Sequence, residues 1–250
     1  MALQNFASRK DVIIHASYSL SLLTMLSASA EIRIVCTAAL IDTQADRRAT
    51  EYTRSLDIIQ QFGYMPYVVE ACKKQGPTFL EALSDHVFYS TMNNAALRNK
   101  GVNEAKTFLQ GLKAFGFDEN DMIVKLTGRY YFTSDYFLRM IEKNPDIDAF
   151  SLRTTSFPGI DAHTLSTHPF DMFTGCFALR YKHFIAMLES FDLEAMERDM
   201  ECIEWACDRY IRTMHQKGLL NALYVDKLDV QGKVFYSGDT PLDELPLWTW

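Results

Sequence analysis

The chain has no excess of basic residues: 25 Lys and Arg stand against 32 Asp and Glu, a formal net charge of −7. General nucleic-acid binding needs a basic footprint, so that class is disfavoured. Nor is there a disulfide framework. Five cysteines, an odd number without framework spacing, predict reduced thiols and a cytoplasmic protein. Cys202 and Cys207 lie too far round a helix to form a metal pair and read as small core residues. No run approaches the roughly 20 apolar residues of a membrane-spanning helix. The chain contains no G-x-x-x-x-G-K-[ST], no G-x-G-x-x-G after a strand, no G-x-S-x-G and no H-E-x-x-H. Kinase, dehydrogenase, α/β-hydrolase and zincin readings therefore drop out. Internal repeats and low-complexity segments are missing as well.

What is present is a globular chain of 250 residues, 48% hydrophobic and 13% aromatic, long enough to bury a substantial core. Its start needs care. Arg9 and Lys10, the apolar stretch from Val12 and the small run Ala28-Ser29-Ala30 imitate a signal peptide. Asp11, His15 and several serines interrupt that pattern, so residues 12–28 are expected to form a helix packed on the domain.

The stretch from Tyr89 to Tyr136 organises the rest. Asn93 to Glu104 reads as a polar, glycine-bearing loop running into a helix. From Asn103 to Phe115 the apolar residues Phe108, Leu109, Leu112 and Phe115 recur at helical spacing, and Gly116 stops the helix. Met122 to Leu126 is a short apolar run of the kind that makes a buried parallel strand. It ends in Thr127-Gly128-Arg129-Tyr130. Ligands of open α/β sheets bind where such strands end.

Other elements follow the same alternation. Strands are predicted at 32–40, at 67–69 ending in Glu70, at 87–89 and at 149–152. Helices are predicted at 49–62, 78–83 and 136–142. Strand and helix in alternation predict an α/β fold with a mostly parallel central sheet and helices on both faces. The second half changes character. Residues 154–171, with His163 and His168, form a long polar loop, and 172–179 read as a strand. Tyr181 to Phe191 reads as a helix, and Glu194 to His215 as the longest one. A terminal hairpin is expected from Tyr224 to Val230 and Lys233 to Tyr236, turning at Gln231-Gly232. The tail PLDELPLWTW either docks on the body or contacts a partner.

These features together resemble a glycosyltransferase of the GT-A type. They are an Arg-bearing loop after the first strand, Glu70 at the end of the second, the NKGVNEA segment, and VKLTGRYYF at the fourth. The likeness covers roughly residues 31–230, mostly as layout. It implies one GT-A domain over 1–250, in which a Rossmann-like half (31–153) binds a nucleotide-sugar. A smaller β and helical region (154–240) would build the acceptor side, and 1–30 would be an N-terminal helical extension. It also implies transfer of a sugar to a glycan or other hydroxyl acceptor, as in polysaccharide biosynthesis. The family usually carries Asp-x-Asp at the end of the fourth strand to hold a divalent metal. Here that place reads Thr127-Gly128-Arg129. The literal Asp146-Ile147-Asp148 falls at the opposite edge of the sheet and reads as a solvated turn. Asp226 and Asp229 read as strand-end surface charges.

No metal ligands are therefore assigned, although Mg²⁺ or Mn²⁺ is compatible with the chemistry. A departing nucleoside diphosphate needs positive charge from a metal or from Arg and Lys. Arg129 offers a planar fork for phosphate, or else a surface salt bridge. Lys100 and Lys125 offer ammonium groups, and the N–H groups around Gly101 sit at a helix start. Asn94 and Asn99 are either sugar or phosphate ligands, or loop and cap residues. Glu104 either binds a sugar hydroxyl or complements the helix dipole. Thr37, Arg48 and Glu70 lie where base and ribose would bind, Glu70 being alternatively a loop carboxylate. Tyr130, Tyr131 and Phe132 either stack on sugars or fill the core. His163 and His168 complete no metal site and read as loop hydrogen-bonders. An inverting enzyme also needs a carboxylate base. Glu201, Glu204 and Asp208 fall on one face of the predicted long helix. Glu201 is the first candidate and Glu204 the second, against the reading of a solvated face. Two rivals remain: a non-catalytic α/β binding protein or degenerate transferase, and a nucleotidyltransferase, which would want acidic metal ligands.

Overall fold

A computed structural model describes residues 30–40, 45–154, 171–233 and 247–249. By its contacts the chain divides into two compact units, Met1–Glu31 and Ile32–Trp250, and the account below concerns the second. The expected helix at 12–28, most of the 154–171 loop with its two histidines, and most of the tail lie outside the described residues.

The second unit opens with β1 (Ile32–Ala38), α1 (Ala45–Gln61), β2 (Pro66–Glu70) and a 3₁₀ turn (Phe79–Ala82). Next come β3 (His86–Tyr89), α2 (Lys100–Phe115), β4 (Met122–Thr127), β5 (Tyr131–Phe132) and α3 (Tyr136–Lys143). The chain continues through β6 (Ala149–Thr154), β7 (Asp171–Met172), β8 (Cys176–Arg180), α4 (Tyr181–Glu189), α5 (Leu193–Asp199) and α6 (Ile203–Gln216). It closes with β9 (Ala222–Val225), β10 (Val230–Lys233) and β11 (Leu247–Thr249).

The main sheet has eight strands in the order β3-β2-β1-β4-β8-β6-β7, with β9 on the other side of β6. β3, β2, β1 and β4 run parallel to one another, as do β6 and β9, while β8 and β7 pair antiparallel. The expected α/β fold, mostly parallel with helices on both faces, is the observed one. Strand order reverses direction between β1 and β4, which makes their carboxyl ends the topological switch point where such sheets bind ligands.

Alternation along the strands sorts the core into two layers. Ile34, Cys36, Val124 and Leu126 face Tyr52, Leu56 and Ile59 of α1 and Phe137 of α3. Val35, Val69 and Ile123 face Phe108 and Leu112 of α2 and residues of α4 to α6. Of the helices on the second face, α2 is the best defined by sequence. Asn99 caps it by accepting from the Gly101 N–H, and Gly116 ends it at φ 62°. It therefore begins three residues before the position that hydrophobic spacing alone suggests, because a cap carries no hydrophobic signal.

Three expectations are corrected here. The long helix over 194–215 is two helices, α5 and α6, broken where Met200 adopts φ 55° and Glu201 N–H returns to the Met196 carbonyl. The amphipathic pattern runs through the break, so periodicity could not reveal it. The hairpin at Gln231-Gly232 does not form. Both residues lie inside β10, which pairs with β11 and β5, while β9 pairs with β6. Gly232 serves close approach rather than a turn, since a β-carbon there would collide with the Tyr130 ring. Finally, the strand expected over 172–179 is interrupted by a turn at 173–175, which matters for the site.

Candidate functional site

At the switch point the ends of β1 and β4 are tied together: the Gly128 N–H donates to the Thr37 carbonyl at 2.9 Å. A β-carbon at 128 would meet that same oxygen at 2.9 Å, so the close approach requires glycine. Thr37 and Thr127 stand side by side in the register and are half-buried at the strand ends. From this point two groups of side chains extend, one on each face of the sheet.

The first group lies toward α1. Tyr52, 3% exposed, accepts at its hydroxyl from the Ala39 N–H at 2.8 Å and so fixes the loop after β1. Burial pushes the Tyr52 hydroxyl up, while Arg48 and Arg129 pull it the other way. Arg48 is buried on α1, also 3.5 Å from Glu51, and Arg129 lies 5.5 Å over the ring of Tyr130. On the far side of this group, burial and then Glu70 push the Cys72 thiol up, against Arg48, Lys73 and Lys100. Arg48, Lys73 and Arg129 lie in the segments that follow β1, β2 and β4, and Lys100 opens α2 after β3.

Glu70 sits among them but faces inward, 0% exposed. Its carboxylate accepts from the N–H groups of Leu40 (3.1 and 3.2 Å), Cys72 (2.7 Å) and Lys73 (2.8 Å). It joins the loops that follow β1 and β2.

The second group lies toward α2 and α6. Lys125 is the one charged residue in the apolar run of β4, and its alternation points it into the helical layer. It is 3% exposed. Its ammonium donates to the Thr174 carbonyl at 2.6 Å and pairs with Glu104 of α2 at 2.6 Å. The Thr174 hydroxyl donates to Glu204, on the first turn of α6, at 2.7 Å. A continuous polar chain therefore runs Glu104–Lys125–Thr174–Glu204. Its first three members border a small cavity otherwise lined by apolar residues such as Phe108, Ile203 and Cys207. The two groups adjoin at Tyr130. Its hydroxyl is raised first by burial, with Arg129 and then Lys125 lowering it and Glu104 opposing them.

The remaining candidates are structural in their contacts. The Asn99 side-chain amide donates to the carbonyls of Met196 and Glu201, at 2.8 and 2.7 Å, which brings the start of α2 against the α5–α6 break. Gly101 permits that approach: a β-carbon there would lie 3.0 Å from Ile203. Asn94 exchanges hydrogen bonds with Asn103 and accepts from the Ala96 N–H. Lys100 is exposed at the first position of α2. Glu201 lies outside both helices and pairs with Arg209. It therefore does not share a helical face with Glu204 and Asp208. Asp208 is buried, 3.3 Å from Arg212. Tyr131 and Phe132 belong to the small sheet and are buried.

The carboxylates elsewhere are engaged too. Asp148 pairs with Arg180 at 2.9 Å and accepts from the Asn221 N–H at 2.8 Å, so the literal Asp-x-Asp joins β6, β8 and the turn before β9. It lies at the amino end of β6, away from the switch point, and is a fastening rather than a solvated turn. Asp229, with φ 52°, accepts from Ser134 at 2.6 Å and pairs with Lys227. Among the described residues no three His, Cys, Asp or Glu side chains converge to hold a metal ion. The described donor set at the end of β4 does not fit a divalent cation. Among these residues, too, no helix is long and apolar enough to cross a membrane.

Sequence reasoning missed Tyr52 and Thr174. Tyr52 is indistinguishable from a core aromatic at helical spacing. Thr174-Gly175 carries a faint signal: a polar residue and a glycine inside the apolar run MFTGCFAL. A β-carbon at 175 would collide with Phe173 and Tyr130, so the glycine is what lets the turn form.

No protein-family model matches the chain, and no curated protein matches it. Among solved structures it resembles apo mouse xyloside xylosyltransferase 1, at 11% identity and TM-score 0.45, over 78% of this chain and 85% of that one. It also resembles a glycosyltransferase involved in glycosylation of the major capsid of PBCV-1, at 9% identity and TM-score 0.45, over 78% and 81%. A third likeness is to the apo glycosyltransferase GlyE of Streptococcus pneumoniae TIGR4, at 13% identity and TM-score 0.39, over 77% of this chain and 45% of that one. With TM-scores below 0.5 these likenesses are distant and decide nothing about what this chain binds.

Proposed function

We propose that the protein is a glycosyltransferase of GT-A layout that uses a nucleotide-sugar and neutralises the donor diphosphate with side-chain cations. The observation that carries this is the β1–β4 switch point, tied by the Gly128 N–H to Thr37 carbonyl bond, with Arg129 directly after it and the buried Arg48 near the start of α1, the helix that follows β1. A diphosphate is the ligand that such a set suits. Guanidinium groups match its oxygens in pairs, and ammonium groups add point charge.

In this reading the nucleoside lies over the ends of β1 and β2, near Thr37, with the loops there held by Glu70 and Tyr52. The diphosphate meets Arg129, Arg48 and Lys100, and the sugar extends toward Thr127 and the α2–α6 wall. The bond from the anomeric carbon to the phosphate oxygen breaks, and the acceptor oxygen forms the new bond. The electron pair stays on the leaving diphosphate, where positive charge that is already oriented stabilises it at no cost in reorganisation. In an inverting reaction Glu204 takes the acceptor's proton. It replaces Glu201 as first candidate, because Glu204 stands on the wall with Lys125 and Glu104 whereas Glu201 is held by Arg209. A glycan or other hydroxyl compound is the acceptor, and a reducing compartment such as the cytoplasm suits the buried thiols of Cys36, Cys176 and Cys207.

The test is a thermal-shift panel of nucleoside diphosphates and nucleotide-sugars, with Mn²⁺ or with EDTA, on the wild type and on Arg129→Ala. A ligand that binds the native state raises the melting temperature by mass action. The expected result is a rise with one nucleotide family that survives EDTA and is lost in Arg129→Ala. A rise only with Mn²⁺ overturns the cation-only mechanism. No rise with any nucleotide overturns the transferase and leaves a non-catalytic binding protein.

A further inference from the structure

The turn at 173–175 is built with more care than a connection between two strands requires. Gly175 accepts at its carbonyl from the Thr127 N–H at 2.8 Å, which docks the turn on the last residue of β4. Phe173 donates its N–H to Leu152 at 3.0 Å, which holds the other side on β6. Lys125 grips the carbonyl of the residue between them, and Lys125 is itself held by Glu104. Thr174, 5% exposed, is thus fixed at its backbone from three directions. Its hydroxyl meets one oxygen of Glu204 at 2.7 Å. The Glu204 carboxylate is only half-buried, and it stands at the start of α6.

We propose that Thr174 is a positioning residue for Glu204, holding one carboxylate oxygen so that the other is presented to the acceptor hydroxyl; this rests on the transferase reading above. A buried ammonium beneath a backbone carbonyl is an expensive way to support a turn. It becomes intelligible if the turn must hold its hydroxyl steady, because a carboxylate that rotates freely offers a general base in the wrong geometry much of the time. Thr174 itself touches no reacting atom.

The experiment uses the full chain and the nucleotide-sugar that gives the largest melting shift, with release of nucleoside diphosphate followed from pH 5 to pH 9. Variants are Thr174→Val, Thr174→Ser, Glu204→Gln and the double change Thr174→Val with Glu204→Gln, and melting temperatures confirm that each is folded. The expected result for Thr174→Val is a loss of about 10- to 100-fold in kcat, the size of one hydrogen bond to a charged group, with the donor KM unchanged. Thr174→Ser should recover most of the rate. In the Glu204→Gln background Thr174→Val should cost nothing further, since the group it positions is gone. An equal loss in both backgrounds, or a loss confined to KM, overturns the positioning role and leaves the transferase standing. Turnover that is insensitive to Glu204→Gln overturns it likewise. Absence of turnover with every donor overturns the transferase and this inference together.

Discussion

Lys125 and Glu104 meet at 2.6 Å across the junction of β4 and α2, one side chain 3% exposed and the other 32%. The pair is lopsided, and that asymmetry predicts unequal costs. Glu104→Ala leaves an ammonium buried with only the Thr174 carbonyl, a loss of about 3 kcal/mol. Lys125→Met fills the same space without charge, and the half-exposed Glu104 can turn to water. The remaining cost, about 1 kcal/mol, is that of a carbonyl without its donor. Urea unfolding of the two variants checks the order, and equal midpoints would show the pair is not buried as described.

Glu70 carries a prediction of a different kind. Glu70→Ala strips the acceptor from the N–H groups of Leu40, Cys72 and Lys73 at once. A loss of about 3 kcal/mol or more follows. Glu70→Gln keeps an acceptor oxygen and should cost about half as much. If Glu70 bound ribose instead, Glu70→Gln would weaken nucleotide binding with little change in stability. Melting temperature and nucleotide affinity measured on the same sample separate the two.

Asp229 sets an acid response. The Ser134 hydroxyl, donating to its carboxylate, lowers the pKa below its ordinary value of 3.8, aided by Lys227 and against partial burial. A carboxyl depressed on folding stabilises the native state above its unfolded pKa, and that contribution is lost as pH falls through the lower folded value. The stability of the wild type should therefore decline below about pH 4 more steeply than that of Asp229→Asn. Asparagine tolerates the φ of 52° found there, so the comparison isolates the charge. Parallel pH dependences in denaturant titrations would rule the contribution out.

Met200 bends the chain between α5 and α6 with φ 55° and is 46% exposed. A side chain costs about 1 kcal/mol in that conformation, and glycine returns roughly half of this as entropy of the unfolded chain. Met200→Gly should accordingly raise the melting temperature by about 2 °C. A fall would mean that the methionine makes contacts its exposure does not suggest.

Much of the framework was legible in advance. The apolar strands at 32–40 and 122–126, the helix ended by Gly116 and the polar crest at Thr127 to Tyr130 are local patterns, and the structure has them where those patterns fall. The break at Met200 was not legible, because an amphipathic pattern on both sides of a left-handed residue reads as one helix. Gly232 was misread as a turn for a related reason: a glycine needed for close packing and a glycine needed for a turn are the same letter.

The sequence by itself determined the elements, since period, caps and glycines act over a few residues and need no partner. It also drew notice to Lys125, though as an ammonium group for a diphosphate and not as half of a buried pair. Which carboxylate answers it, and which side chains face the crevice, was decided only in three dimensions. Glu70, Asn99 and Glu201 all had the residue type and spacing of ligands, yet backbone groups or Arg209 engage them. Thr174 had neither, and the turn holding it is made by contacts with strands about 20 to 50 residues away. A side chain's role depends on what reaches it across the fold, and separation along the chain does not encode that distance.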